Sequence, residues 1–213
     1  PPYSLSMATH KQFEHDKYCR NFLGTPPQDC ADYAFIQHIL ASLDDNTGRC
    51  AMLLSHGVLF RSFESSMREE FVKSNLIEAV IGLGPNLFYN SPMEASIIIC
   101  NKRKDKNLKD KIIFINALKD ITRKNGESYL EECHISKIAN AYRKHEEIPS
   151  FCRVVDLKEI ESYKYDLTIQ KYVFIKDETD TLKHDKYYYF EEWSNICNSK
   201  NTSMLNLIDL IKR

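Results

Sequence analysis

The chain opens on Pro1-Pro2-Tyr3, three residues whose types favour one kind of chemistry. Two consecutive prolines fix φ and remove two backbone donors, so the turn presents carbonyl oxygens alone. A row of acceptors beside an aromatic face suits a planar ligand that carries an amino group. The ring stacks on Tyr3 and its N–H groups point at the carbonyls. By itself the tripeptide reads as a polyproline-like terminus.

Other suggestive residues read as structural. Gly82-x-Gly84 follows an apolar run, but Pro85 interrupts it and no third glycine follows, so it predicts a sharp strand exit rather than a phosphate loop. His56, before Gly57, reads as a hydrogen-bonded loop histidine. The basic run Lys102, Arg103, Lys104, Lys106, Lys109 and Lys111 is diluted by Asp105 and Asp110 and reads as a solvated hairpin tip. Lys102, Arg103 and Lys104 are the candidates there for contact with a DNA phosphate backbone.

Composition excludes several classes. Cys19, Cys30, Cys50, Cys100, Cys133, Cys152 and Cys197 are scattered without a C-x-x-C pair, which argues against a disulfide framework and a zinc site and for a reducing cytoplasm. No apolar run approaches the roughly 18–20 residues of a membrane span, and no signal-peptide pattern opens the chain. The formal net charge of −1 supplies no global basic field, so any contact with DNA must be local or come from another subunit.

The elements that must position these residues alternate helix with apolar strand. A helix is predicted over Asp29–Asp44, with Asp29 as N-cap and Phe35, Ile39 and Leu43 in an apolar stripe beside Ile36 and Leu40. Cys50–Ser55 reads as a buried strand. A second helix is expected from about Ser62, with Phe63, Met67 and Phe71 inward and the pairs Glu64/Arg68 and Glu69/Lys73 outward. Leu76–Leu83, Ala95–Asn101 and Lys111–Ala117 read as strands. The Gly84–Glu94 loop is too short for a crossover helix, so its flanking strands are expected to be antiparallel neighbours. A helix follows in the second half of Ser128–His145, with Ile135, Ile138, Ala139 and Tyr142 on one face, and Arg153–Val173 is extended or mixed. Together these predict an α/β sheet covered on both faces. Residues 176–186 are the candidate linker, and 187–213 a tail ending in a helix.

Taken in order, "PPYS", "ADYAFIQHILASL", "GRCAMLLSHGVLFR", "MREEF", "LIEAVIGLGPNLFYNSPMEASIIICNK", "IIFINA" and "YDLTIQKYV" resemble the modification subunit of type I restriction–modification systems, over roughly residues 1 to 173. These are N6-adenine DNA methyltransferases with an N-P-P-[FY] signature. The resemblance implies a chain that begins inside that motif, after its Asn. It implies that the Asn side chain and the carbonyl of Pro1 accept the hydrogens of a flipped adenine's amine, that Pro2 holds the turn, and that Tyr3 stacks on the ring. A second stacking aromatic falls in the "NLFYNS" loop, at Phe88 by position, with Tyr89 its neighbour. Two departures stand out. Ser55 replaces a usual proline in L-P-x-G-V-L-F, which is expected to loosen a loop near the base pocket. Tyr165–Tyr172 alters the family's Y-N-L-N-I-x-R-Y ending, which is expected to affect partner contacts.

The family's glycine-rich cofactor motif, upstream of N-P-P-[FY], has no counterpart here. Residues 1–175 are thus expected to be the C-terminal, substrate-side half of a Rossmann-like, S-adenosylmethionine-dependent methyltransferase sheet with an antiparallel last strand. The resemblance implies DNA, a specificity subunit and a restriction subunit as partners. Alone, the chain is expected to be inactive and to self-associate through its cut sheet edge. The other reading is a non-catalytic, truncated remnant serving as an interaction module, which translation from Met7 would produce.

Overall fold

The computed structural model describes residues 2, 5–7, 10–88, 92–124 and 126–174. The expected 176–186 linker and 187–213 tail lie outside the described residues. The elements run α1 (His10–Glu14), α2 (Asp32–Ala41), β1 (Arg49–Ser55), α3 (Ser65–Lys73), β2 (Ile77–Leu83), β3 (Ala95–Asn101), β4 (Lys111–Ala117), β5 (Thr122–Lys124), β6 (Glu127–Tyr129), α4 (Glu132–Lys144), β7 (Cys152–Asp156) and α5 (Leu157–Ser162).

Five strands form one sheet in the order β1-β3-β2-β4-β7, and β5 and β6 form a separate hairpin. As the short Gly84–Glu94 loop requires, β2 and β3 are antiparallel. The pairs β1/β3 and β4/β7 are antiparallel too, and only β2/β4 is parallel. The expected Rossmann-like half is therefore, within this chain, a mixed α/β fold with a mostly antiparallel sheet.

Both faces are covered, because alternate strand residues enter separate cores. On one face Met52, Leu54, Ile98, Ile112 and Phe114 meet Tyr33, Ile36 and Leu40 of α2 and Met67, Phe71 and Val72 of α3. On the other, Ala79, Ile81, Leu83, Ile113 and Ile115 meet Ala141, Ile138 and Tyr142 of α4. β2 is buried at every position, Glu78 included, as its place in the middle of the sheet requires, and Glu78 is met there by Arg49 at 3.5 Å. β1 lies at the sheet's end, its Ala51 is exposed, and its outer edge pairs with no described strand.

Several local expectations shift. α2 starts at Asp32, not Asp29, and Ala31 rather than Asp29 occupies the N-cap with no side-chain bond. The chain before it is already bonded: Cys30 N–H donates to Pro27 O and Ala31 N–H to Leu5 O. The buried face is Tyr33, Ile36, Gln37 and Leu40, one step round from the expected stripe. Ser62–Glu64 is a single 3₁₀ turn preceding α3, which leaves Phe63 58% exposed. Glu64 and Arg68, expected in solvent, are buried instead. Arg68 donates to the backbone oxygens of Tyr165 and Arg61, at 3.0 and 2.9 Å. Only Glu69 and Lys73 form the outward pair, 2.5 Å apart. In α4, Ile135 is exposed rather than inward.

The altered Tyr165–Tyr172 ending is part of this chain's own core. Leu167 N–H donates to Leu59 O, and Tyr172 packs on Phe114 with ring centroids 4.3 Å apart. A Cβ on Gly82 would come within 2.7 Å of Ile169, so that glycine lets the segment lie flat on the sheet.

Candidate functional site

Strand direction brings the site together. β1 and β2 both run antiparallel to β3, so they point the same way, and Ala95 pairs with Ser55 on one side and Leu83 on the other. Leu83 in turn pairs with Ala117 of the parallel β4. One row therefore carries the ends of three strands and the loop between β2 and β3.

Beside this row is a cavity of about 420 Å³ lined by Ser55, His56, Gly57, Arg61, Met93 and Glu94. His56 opens a 3₁₀ turn over His56–Leu59, and its backbone N–H donates to Glu94 O at 3.4 Å. Its ring lies 5.7 Å from that of Phe60, and its buried Nδ1 has no hydrogen-bond partner among the described residues. Burial lowers the His56 pKa, with Glu94 and Asp166 opposing. The imidazole is thus neutral at pH 7 and offers a flat face with one polar nitrogen.

Arg61 also lines the cavity. Its guanidinium donates to Asp32 Oδ2 at 2.9 Å, to Glu64 Oε2 at 3.2 Å and to Ser55 Oγ at 2.7 Å. It also meets the Cys30 sulfur at 2.7 Å. Cys30, Asp32 and Glu64 present ligand atoms within 4.8 Å of one another, a trio with metal-like spacing that the scattered cysteines did not suggest. Arg61 supplies the positive charge there, and burial pushes the Cys30 thiol up to about 11, which keeps it protonated. A Cβ on Gly57 would sit 2.5 Å from Arg61 Nε, so glycine makes room for the guanidinium. Sequence reasoning missed this network because its members come from separate elements. The available signal was Asp32, an acid on the inward side of a helix.

Ser55, where the resemblance would place a proline, is tied into this network. Its φ of −63° lies where a proline would hold it, and its hydroxyl joins the Asp32–Arg61 pair.

Of the residues expected to act, Pro2 is exposed, and Pro1, Tyr3 and Tyr89 lie outside the described residues. The segment after them is anchored beside α2: Ala31 N–H donates to Leu5 O at 2.9 Å and Met7 N–H to Gln28 O at 2.6 Å. Asp32, next in sequence, holds Arg61. Phe88 is half-buried and packs with Leu87 against the α4-side core. Its loop leaves β2 sharply, because a Cβ on Gly84 would come within 2.6 Å of Leu118 O. Ser128 N–H then fixes the loop by donating to Asn86 O at 3.0 Å.

The basic cluster is not brought to this site. Lys102, Arg103 and Lys104 follow the end of β3, at the opposite edge, about 20 Å away along a seven-residue strand. Lys102 pairs with Asp45 at 2.9 Å. Lys104 Nζ donates to Asn75 Oδ1 and to the carbonyls of Ile77 and Lys111, at 2.9, 2.8 and 2.7 Å. Lys104 is thus a cation that closes the amino ends of β2 and β4, rather than one offered to a phosphate.

The Gly82–Gly84 pair is closed over by Ile169, Leu118 and Ile121 of the chain itself, leaving no room for a phosphate. Among the described residues no helix is long and apolar enough to cross a membrane.

The family model of the N-6 DNA methylases matches residues 1–181. The chain is 38% identical over 193 residues to the type I restriction enzyme MjaVII methylase subunit of Methanocaldococcus jannaschii, a match covering 85% of this chain and 33% of that protein. It is 32% identical over 185 residues to the MpnII methylase subunit of Mycoplasma pneumoniae, covering 85% and 34%. The crystal structure of a type I restriction–modification methyltransferase subunit from Streptococcus thermophilus superposes with a TM-score of 0.75 at 33% identity, covering 81% of this chain and 36% of that one. The chain spans about a third of the length of these relatives. With the strand order, the shared edge and these matches together, the chain belongs to the N-6 DNA methylase family.

Proposed function

We propose that this chain is the substrate-side portion of a type I restriction–modification methylase subunit that methylates N6 of an adenine flipped out of duplex DNA. The observation that carries the reading is the Ser55–Ala95–Leu83 register, which sets the 420 Å³ cavity and the Phe88 loop on one sheet edge. That volume falls in the range of small-ligand pockets, about 300–1,000 Å³.

An exocyclic adenine amine is a weak nucleophile because its lone pair is delocalised into the ring. In this reading the carbonyl of Pro1, with the motif's Asn, accepts the amine hydrogens and localises that lone pair. Pro2 holds the turn. Tyr3 stacks on one face of the base and Phe88 on the other, and His56 meets its edge as a neutral imidazole. S-adenosylmethionine supplies the methyl group in the complete protein. Because the family's glycine-rich cofactor motif has no counterpart in this sequence, this reading expects the chain alone neither to bind it tightly nor to methylate DNA. DNA, a specificity subunit and a restriction subunit are the proposed partners, in the cytoplasm.

The test is methyl transfer by the complete methylase with its specificity subunit. Phe88→Ala should lower kcat/KM by about 10- to 100-fold, the loss of one stacking contact of roughly 1–3 kcal/mol. A mismatch opposite the target adenine should restore part of it, because the base then leaves the stack more easily. An unchanged rate would remove Phe88 from the base site, and micromolar cofactor affinity in this chain alone would remove the half-site reading. The second reading, a non-catalytic subunit-interaction module, draws on β1, whose outer edge pairs with no described strand.

A further inference from the structure

Cys50 and Cys100 are far apart in the sequence but stand directly opposite each other in the β1/β3 ladder. The same register continues to Gly48, whose carbonyl accepts from Lys102 N–H at 2.9 Å. Pairs that exchange backbone bonds alternate along an antiparallel ladder, so Cys50 and Cys100 form the next such pair, with Cα atoms about 5.5 Å apart. A disulfide spans Cα separations of about 4.4–6.8 Å, so the backbone already stands where this bond can form. Directly opposite residues share one face of the sheet, and both cysteines pack into the core on the α2 and α3 side.

The two thiols differ in what they can do. Cys100 is fully buried, whereas Cys50 is half-buried on the strand at the sheet's end. The thiols hydrogen-bond to each other. That bond holds the Cys50 thiol below its ordinary range against the opposing effect of burial, and with burial it holds Cys100 well above. Lys104 and Glu78 are the charged groups that act on Cys100, Lys104 lowering it and Glu78 raising it. Cys50 is therefore the sulfur that reaches the thiolate form, the nucleophilic one, and Cys100 keeps its proton beside it. Cys30 and Cys152, by contrast, are pushed up to about 11 by burial and stay protonated.

We propose that Cys50 is a reversible oxidation site for a small hydroperoxide, with Cys100 as the thiol that resolves it into a β1–β3 disulfide. Cys50 Sγ attacks one peroxide oxygen: the S–O bond forms, the O–O bond breaks, and the departing hydroxide takes a proton from solvent to become water. The sulfur is oxidised to a sulfenic acid and the peroxide is reduced. Cys100 Sγ then gives up its proton and attacks Cys50 Sγ. The S–S bond forms, the S–O bond breaks, and a second water leaves. Two thiols and one peroxide thus yield one disulfide and two waters. A small dithiol or glutathione reverses the change by exchange, as suits the transient disulfides of a reducing compartment. The bond fastens β1 to β3, the pairing that sets Ser55 opposite Ala95 at the edge of the candidate site. None of this depends on the proposed function.

The experiment treats the complete methylase subunit with stoichiometric hydrogen peroxide, blocks the remaining thiols with iodoacetamide, and maps peptides by mass spectrometry before and after dithiothreitol. A cross-linked peptide joining Cys50 to Cys100 within one chain should appear and be lost on reduction. In the untreated protein, iodoacetamide should label Cys50 faster than the more exposed Cys19 and Cys133. Cys100→Ala should slow that labelling about three- to tenfold, because lost thiolate outweighs the gain in intrinsic nucleophilicity. In the same variant a Cys50 sulfenic acid should persist after peroxide and be trapped by a cyclic diketone. If Cys100→Ala fails to fold, the wild-type map and Cys50→Ser, a change at a half-buried position that should abolish the cross-link, carry the test. Cys50 labelled no faster than Cys19 and Cys133 overturns the proposal. So does a Cys50 that ends as sulfinic acid without the cross-link, or a cross-link that joins two copies or a different pair of cysteines. Labelling of Cys50 at an unchanged rate in folded Cys100→Ala removes Cys100 as the group that activates it, and overturns the proposal equally.

Discussion

Replacing Arg61 by methionine should destabilise the fold more than any other single surface-reaching change near the cavity. The guanidinium is bonded to Asp32, Glu64 and Ser55, and both carboxylates are almost completely buried. Methionine fills much of the same space without the charge, so it leaves two buried acids uncompensated. Breaking a buried pair in this way costs about 3–5 kcal/mol. With a urea slope of roughly 2 kcal/mol per molar, the midpoint should fall by about 2 M. A domain with about 5–15 kcal/mol of stability stays folded under that loss, which keeps the experiment readable. The pH dependence has a defined sign. Burial holds the Glu64 carboxyl above its ordinary range, and Arg61 pulls it back down. Without Arg61 the carboxyl rises further, so the native variant holds a proton that the unfolded chain releases at about 4.3. The deficit against wild type is therefore full above the native value and shrinks as pH falls toward the unfolded one. Urea titrations at pH 7.5 and 5 should show the gap narrowing, and Glu64→Gln in the Arg61→Met background should narrow it at pH 7.5. A deficit below 1 kcal/mol, equal at both pH values, would refute the idea that the guanidinium compensates these acids.

Lys104→Met should cost about 1–3 kcal/mol in urea unfolding by stranding three acceptors, yet leave DNA affinity and its salt slope unchanged. A tenfold loss of affinity would return Lys104 to the phosphate-binding residues. Because burial brings the Lys104 pKa down to about 8, the native state releases that proton before the unfolded chain does. Wild type should therefore gain stability relative to Lys104→Met between pH 8 and about 10.4. His56 should titrate below about 6.5 in histidine NMR, and lower still in Glu94→Gln, since Glu94 raises it. Its contribution to stability is then lost as pH falls below the unfolded value; an upward shift in Glu94→Gln would contradict the geometry. Light scattering of the chain alone should show self-association that grows with concentration, through the outer edge of β1 and exposed Phe60 and Phe63. A monomer at high concentration would count against an exposed edge.

What the sequence makes legible here is whatever depends on nearest neighbours along the chain. Leu76–Leu83 is apolar at nearly every position because β2 is buried on both faces, and the strand is found within one residue of its expected start. The short Gly84–Glu94 loop forces an antiparallel return, and that return puts Ser55 and Leu83 on either side of Ala95. Charged residues obey a different logic. Glu64 and Arg68 at i and i+4 look like a solvated pair, and a helical wheel cannot show that a 3₁₀ turn rotates Glu64 inward toward Arg61. The run from Lys102 to Lys104 looks like one basic surface, whereas the fold spends Lys104 on backbone carbonyls of two other strands. A charge or amide in this protein is therefore interpretable only once its partners are known, whereas an apolar run is interpretable from its own length. That is why strands β1 to β4 could be placed from sequence, and why the polar cluster around Arg61 at the sheet's edge had to wait for the structure.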